Sequence, residues 1–418
     1  MYPRTADRSG NRDFRRYLLA RIVSVAGSLV ALVAMPLLAY QLTGSAAWTA
    51  AVAAAEALPY LMLGLLAGAV ADAADRRALM IGADLVACAA LASIPVAWGL
   101  GGLGPVQVVA VAVVTQAAFV FFDAANFGAL PTLVGKGSLT SAYATLYGAT
   151  TVVELVVPPL AGLLVVVAAP APLIGINAAT ALASALLVRS ITGRLSPAPV
   201  GRRDRRLVAD VAEGLRFIWH NRIVRTLTLV GTTNAVAGGA WVAMLVPWAD
   251  QVLGIRPTGD ARLALLFTCF GVGGIAASRL VPVLSERLGG ARLALGALPT
   301  ALLCCTLVIA SGHWGVALPA AIAWGVAHST VVLNAITYRQ QVCPLDRQAR
   351  VNTTARMLSW GIGAPSGAAL AGAVAVAGPG PRGGLVAGGL ALAVGVALAW
   401  LTPTLRGAAR ARDQTGVS

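Results

Sequence analysis

Charge is what this chain has least of: charged residues make up only 11% of its 418 positions, well under half the share in an ordinary globular domain. A soluble fold cannot cover its surface with so few. Aromatic residues are also scarce, at 6%, and strand-like alternation is missing, which argues against a transmembrane β-barrel. The five cysteines, Cys88, Cys269, Cys304, Cys305 and Cys343, form no C-x-x-C pair and fall mostly in apolar runs. They are read as packing residues, with neither a disulfide framework nor a zinc site expected. A Walker loop, H-E-x-x-H and G-x-S-x-G are all absent, so no nucleotide-driven pump, membrane enzyme, cofactor or metal site is expected.

What the chain does have is apolar length. Hydrophobic residues reach 58% and mean hydropathy is +0.80, the composition of an integral membrane protein whose bilayer is its solvent. At about 20 apolar residues per spanning helix, spans fall near 16–42, 46–71, 78–99, 104–128, 140–168 and 170–190, then near 223–249, 261–284, 290–311, 314–339, 351–377 and 383–403. The expected fold is an all-α membrane protein of twelve transmembrane helices in two pseudo-symmetric six-helix bundles. Its divisions are a tail (1–15), an N-terminal bundle (16–190), a linker with an amphipathic helix (191–222), a C-terminal bundle (223–403) and a second tail (404–418). In the linker, Leu207, Val211, Leu215 and Ile218 share a helical face suited to a membrane surface. The first apolar run is too long for the core of a cleavable signal and is followed by many more like it.

The net charge of +15 reports topology rather than a nucleic-acid partner. Assigned to its nearest membrane face, every one of the 31 Lys and Arg except Arg256, Arg262 and Arg382 falls with the tails, the linker and the loops between even and odd spans. The positive-inside rule then places both termini in the cytoplasm of a multi-pass cell (inner or plasma) membrane protein. The halves also echo one another: Asp72, Pro131 and Pro159 have counterparts in Glu286, Pro344 and Pro365 at similar offsets.

The most specific stretch is GLLAGAVADAADRR, from Gly64 to Arg77, after the second span. Gly64, Gly68 and Asp72 recur every four residues and so share a helix face that a neighbour can approach closely. This stretch resembles the loop signature of the major facilitator superfamily, G-x-L-A-G-x-x-A-D-R-x-G-R-R. Gly64, Leu66, Ala67, Gly68, Ala71, Asp72, Arg76 and Arg77 agree, while Ala73 and Asp75 depart from it. SVAGSLVALVAMPLLAYQLTGSA, FFDAANFGALPTLV, VAEGLRFIWHNRIVR and RQARVNTTARMLSWGIGAPSG look like the branch that includes enterobactin and macrolide exporters. The resemblance implies proton-driven export of an amphipathic small molecule by alternating access, and a monomer. The alternatives are an importer or uncoupled facilitator of the same fold, and a transport-inactive membrane receptor or assembly factor.

An ionisable group inside a span costs about 2.5 to 3.5 kcal/mol at a helix centre, so each needs a reason. Glu56 in span two and Glu154 in span five fall near mid-depth, with Asp84 and Asp123 nearer the cytoplasmic ends. Glu154 is the leading proton carrier, or else an acid that only holds two helices together. It precedes Pro158 and Pro159 in ELVVPPLAG, which resembles the family's antiporter motif g-x-x-x-G-P-x-x-G-G. Glu56 is a second coupling candidate, or a partner for a cationic part of the substrate. Asp123 is a third, or a structural partner of Arg21. Span four lacks the intramembrane Arg that many of the superfamily's proton antiporters carry there.

The family implies that Asp72 meets the start of span eleven near Val351–Arg356 and holds the cytoplasmic side closed, with Arg76 or Arg77 substituting for the Arg missing at position 73; the alternative is that Asp72 only pairs with Arg76 on a solvated loop. Arg356 is read as structural or gating, and Pro365, with Gly361, Gly363 and Gly367, as marking a close-packed or bending helix. Gln116, Asn234, Trp241, Trp324, His328 and Asn334 are cavity or substrate candidates, each also able to serve only in packing or an interhelical hydrogen bond.

Overall fold

The computed structural model describes residues 5–135, 139–196, 207–343, 351 and 354–415, and for some of these, including Leu65, Asp72 and Pro159, only the backbone. In chain order its helices are α1 (Thr5–Thr43), α2 (Ala46–Ala55), α3 (Leu58–Ala73), α4 (Arg76–Gly99), α5 (Pro105–Val134), α6 (Leu139–Val167), α7 (Pro170–Ser190) and α8 (Leu207–His220). They continue as α9 (Arg222–Leu253), α10 (Ala261–Leu288), α11 (Gly290–Ala310) and α12 (Trp314–Val342). A π-helical segment, π1 (Met357–Gly363), then leads into α13 (Ala364–Val376), α14 (Gly380–Leu401) and α15 (Pro403–Thr415). Among the described residues, twelve helical stretches are long and apolar enough to cross a membrane.

Local chemistry sets the helix ends. Asp75, at a position where the loop signature has Gly, caps α4 by accepting a 2.8 Å hydrogen bond from the Ala78 amide. Asn221 caps α9 through the Val224 amide at 3.1 Å. Pro105 and Pro170 open α5 and α7, where a missing N–H has no intrahelical partner to lose. Gly254 closes α9 with φ 64°, a left-handed conformation that favours glycine.

Two expectations are corrected, and both tails prove helical. Span two is not one helix over 46–71: α2 ends at Ala55 and α3 begins at Leu58. Pro59 explains the break, because it has no amide for the Ala55 carbonyl and disfavours helical geometry at the residue before it. The chain crosses the gap with shorter i→i+3 bonds, Ala57 N to Ala54 O at 3.2 Å and Tyr60 N to Ala57 O at 3.3 Å. The N-terminal tail is helical from Thr5, the start of α1. Asp13 anchors it by accepting from the Gly193 amide at 2.6 Å and the Thr192 hydroxyl at 2.8 Å. The basic C-terminal tail is helical as α15, with Leu405 fully buried. The linker helix does not lie wholly on the surface: Ile218 is buried against Val224, Cys343, Val351 and Ala355.

Packing divides the chain into two units. The first comprises residues 1–38 and 62–207, the second 39–61 and 208–418. In the first, α4 packs on α5 and α7. In the second, α9 packs on α2, α13 and α14, and α10 and α11 pack on α12. Small residues permit this closeness. A Cβ at Gly367 would come within 2.0 Å of the Val236 carbonyl, and one at Gly273 within 2.3 Å of the Ile322 carbonyl. Large apolar side chains such as Leu186, Leu303 and Leu390 point outward, as a lipid-facing surface requires.

Candidate functional site

In the first unit, the loop after α3 is tied down by its arginines. The Arg76 guanidinium donates to the Gly128 carbonyl at 2.8 Å and the Ala71 carbonyl at 3.4 Å, and its backbone amide donates to Ser196 Oγ at 2.9 Å. A Cβ at Gly128 would overlap that guanidinium, so the glycine makes room for it. Arg77 donates to the Gly193 carbonyl at 2.5 Å. Both arginines thus fasten the loop to α5 and the segment after α7, within one unit. Gly64 and Gly68 lie on α3 as expected, half-buried. The side chain of Asp72, and residues Asn352 and Thr353 of its expected contact, lie outside the described residues.

Deeper in the same unit, Arg21 on α1 and Asp123 on α5 form a 3.2 Å ion pair whose side chains are 17% and 7% exposed. Phe119 and Phe122 flank the guanidinium at 5.8 and 6.0 Å. One turn away on each helix, the Tyr17 hydroxyl donates to the Asn126 side-chain oxygen. The structure therefore brings Arg21 and Asp123 together, on helices over 100 residues apart in sequence. Glu154 sits on α6 with an exposed side chain, and Gln116 on α5 is half-buried.

In the second unit, the broken second span meets the π-helical segment of the eleventh. Glu56 stands at the break between α2 and α3, and its Oε2 is buried without a hydrogen-bond partner among the described residues. Four residues on, the Tyr60 ring lies under the Arg356 guanidinium at 5.5 Å. Leu61 packs against Gly361, where an added Cβ would come within 2.9 Å. Gly361 belongs to π1, a wide-turn segment of a kind that recurs at functional positions. Pro365 is buried at the start of α13. Irregular backbone at membrane depth frees polar groups that a regular helix would consume, which suits it to ion and substrate binding.

A second group in this unit gathers four of the sequence candidates. The Trp324 ring lies 5.0 Å from His328, Phe270 lies 6.0 Å from His328 and 5.6 Å from Trp241, and Trp241 lies 6.0 Å from Trp248. Asn234, fully buried, donates to the His328 carbonyl at 3.4 Å. Asn334 is not part of this group; it donates to the Gly290 carbonyl at 2.9 Å and braces the start of α11.

Sequence reasoning noted Asp84 near the cytoplasmic end of its span without giving it a role, and passed over Asp250. Asp84 on α4 is 5% exposed and lines a cavity with Thr115 and Asn177. Asp250 near the end of α9 accepts from the Tyr40 hydroxyl. A lone acid inside an apolar run was the available signal in the first case. In the second, nothing local marks the partner.

The family model described as Major Facilitator Superfamily matches residues 17–360. The multidrug efflux pump Tap of Mycobacterium tuberculosis is 33% identical over 227 residues, 52% of this chain and 53% of that protein. Tap of Mycolicibacterium fortuitum is 34% identical over 241 residues, 54% of this chain and 56% of that one. The chain thus spans about half the length of the curated relatives it matches. Among solved structures, a bacterial homologue of the human lysosomal transporter Spinster superposes with TM-score 0.73 at 13% identity, over 95% of this chain and 97% of that one. The nucleoside transporter NupG gives 0.74 at 10% identity, over 94% and 98%. These likenesses carry the fold, and the family match covers most of a chain with twelve candidate membrane spans among its described residues: this chain belongs to the Major Facilitator Superfamily.

Proposed function

We propose that this protein exports amphipathic small molecules of the drug, macrolide or siderophore class across the cell membrane by alternating access, in exchange for protons. The observation that carries the reading is the meeting of the broken second span with π1 in the second unit, with half-buried Glu56 at the break and Arg356, just before π1, above Tyr60. A carboxylate with an unpartnered oxygen in an apolar interior is stable only if it is protonated, solvated or paired with a cation, which are the states a coupled transporter cycles through. The efflux pumps named among its relatives support the same reading.

In this proposal the chain is organised as two six-helix bundles, 16–190 and 223–403. Glu56, Glu154 and Asp123 are the coupling candidates, and Asp72 with Arg76 and Arg77 controls the loop side. Asn234, Trp241, Trp324 and His328 supply an aromatic and polar surface to the substrate. The protein acts as a monomer with both termini in the cytoplasm, and nucleic acid has no part in its function.

The test is reconstitution in proteoliposomes with ethidium as a lipophilic cationic probe. Wild-type protein is expected to drive ethidium against its gradient when a pH gradient is imposed, and Glu56→Gln to lose that coupling. Equal ethidium movement with the pH gradient collapsed would make the protein an uncoupled facilitator. No movement across a panel of lipophilic dyes, with folded protein in the membrane, would leave the receptor reading.

A further inference from the structure

The first unit holds an acid that the mechanism above does not use. Asp84 lines a cavity of about 30 Å³ together with Ser24, Ser28, Thr115, Asn177 and Phe119. A cavity needs roughly 10–15 Å³ of this measure to hold one water, so there is room for one or two. Polar atoms without partners converge on it. Among the described residues, Asp84 Oδ2 and Thr115 Oγ1 are buried and make no hydrogen bond. One turn beyond the lining residues Ser24 and Ala181 lie Arg21 and Ser184, whose Nη1 and Oγ are in the same condition. Among the described residues, none of these four atoms is completed by a hydrogen bond.

The charges around Asp84 can be named. α1 supplies Arg21, which is already bound through Nη2 to Asp123 of α5 at 3.2 Å. α7 presents only the polar Asn177 and Ser184 along this face. Arg21 is thus bonded to Asp123, and its Nη1 is left without a partner among the described residues. Such a group of unsatisfied polar atoms is costly unless a proton or water completes it.

We propose that Asp84 is a proton-exchange site, served by water in this cavity and read by Arg21. Asp84 Oδ2 takes up a proton delivered through the cavity water and returns it by the same route, so only O–H bonds change. Ionised Asp84 competes with Asp123 for the spare amine of Arg21. Protonated Asp84 releases Arg21 to Asp123 alone. The proton state is thereby translated into the pull between α1, α4 and α5. This role rests on the proton-coupled reading above.

The test is infrared difference spectroscopy of the full-length protein in lipid nanodiscs, between acidic and alkaline buffer, needing no transported substrate. The wild type is expected to show a protonated-carboxyl carbonyl band that Asp84→Asn removes. Ser184→Ala and Thr115→Ala, which leave the acid itself in place, are expected to shift that band. A carboxyl spectrum unchanged in all three variants overturns the proposal. Should Asp84→Asn not fold, the two alanine variants decide alone, a shift supporting the site and coincident spectra overturning it. Ethidium export by the same samples separates the two claims. Loss of the band in Asp84→Asn with no export by wild type keeps the proton site and overturns the exporter reading, while export by a protein without the band does the reverse.

Discussion

The Tyr40 hydroxyl donates a 2.6 Å hydrogen bond to Oδ2 of Asp250, joining the end of the first span to the end of the seventh. The Gln251 amide donates to the same hydroxyl at 3.2 Å, and the Gln41 amide reaches the Pro257 carbonyl at 2.9 Å. A short segment from the first half of the sequence is thus bound into the second packing unit.

A hydrogen bond to a charged group is worth about 1.5–3 kcal/mol. Tyr40→Phe and Asp250→Asn are therefore expected to be coupled by roughly 1 kcal/mol or more in a double-mutant cycle on thermal stability in detergent. Strictly additive effects would show that the contact contributes nothing.

The Arg21–Asp123 pair gives a sharper asymmetry. Removing one partner leaves a buried charge, costing about 3–5 kcal/mol, whereas removing both leaves none. Arg21→Leu is thus expected to unfold at lower temperature than Arg21→Leu with Asp123→Leu. A double variant less stable than either single one would contradict this account.

Glycines sort by what surrounds them. Gly367→Ala forces a Cβ onto the Val236 carbonyl, a backbone atom that cannot step aside, and should lose about 1–3 kcal/mol. Gly82→Ala in α4 meets nothing within 4 Å and should gain up to about 1 kcal/mol from helix propensity. Melting curves of the purified variants should move in opposite directions.

Asp260 caps α10 through the Arg262 amide at 3.0 Å, and its hydrogen-bonded Arg262 side chain holds its carboxyl below the usual range. A depressed folded value means that this stabilisation is complete above the ordinary Asp value of about 3.9 and is lost as pH falls through the lower folded one. Asp260→Ala should cost about 1 kcal/mol at neutral pH. That difference should shrink toward zero in strong acid; a pH-independent gap in unfolding measurements would assign the cost to packing alone.

Much of the fold was legible because its cause is local. A span is a run of apolar residues, whatever it packs against, so twelve could be counted from composition and length. The loop from Gly64 to Arg77 carried the family in contiguous letters, and Asp75, a departure there, is explained by a cap three residues long. The break at Glu56 was also locally encoded, in Pro59, but hydropathy averages over it.

By itself, then, the sequence determined the number of spans and the family. Tertiary structure alone decided that residues 39–61 pack with the second half, that Arg356 covers Tyr60, and that Arg21 pairs with Asp123. In a soluble helix the polar face announces which side is out. In lipid the inner and outer faces are equally apolar, so the rotation of each helix, and with it every partner of a buried charge, is fixed only when close packing between small residues selects it.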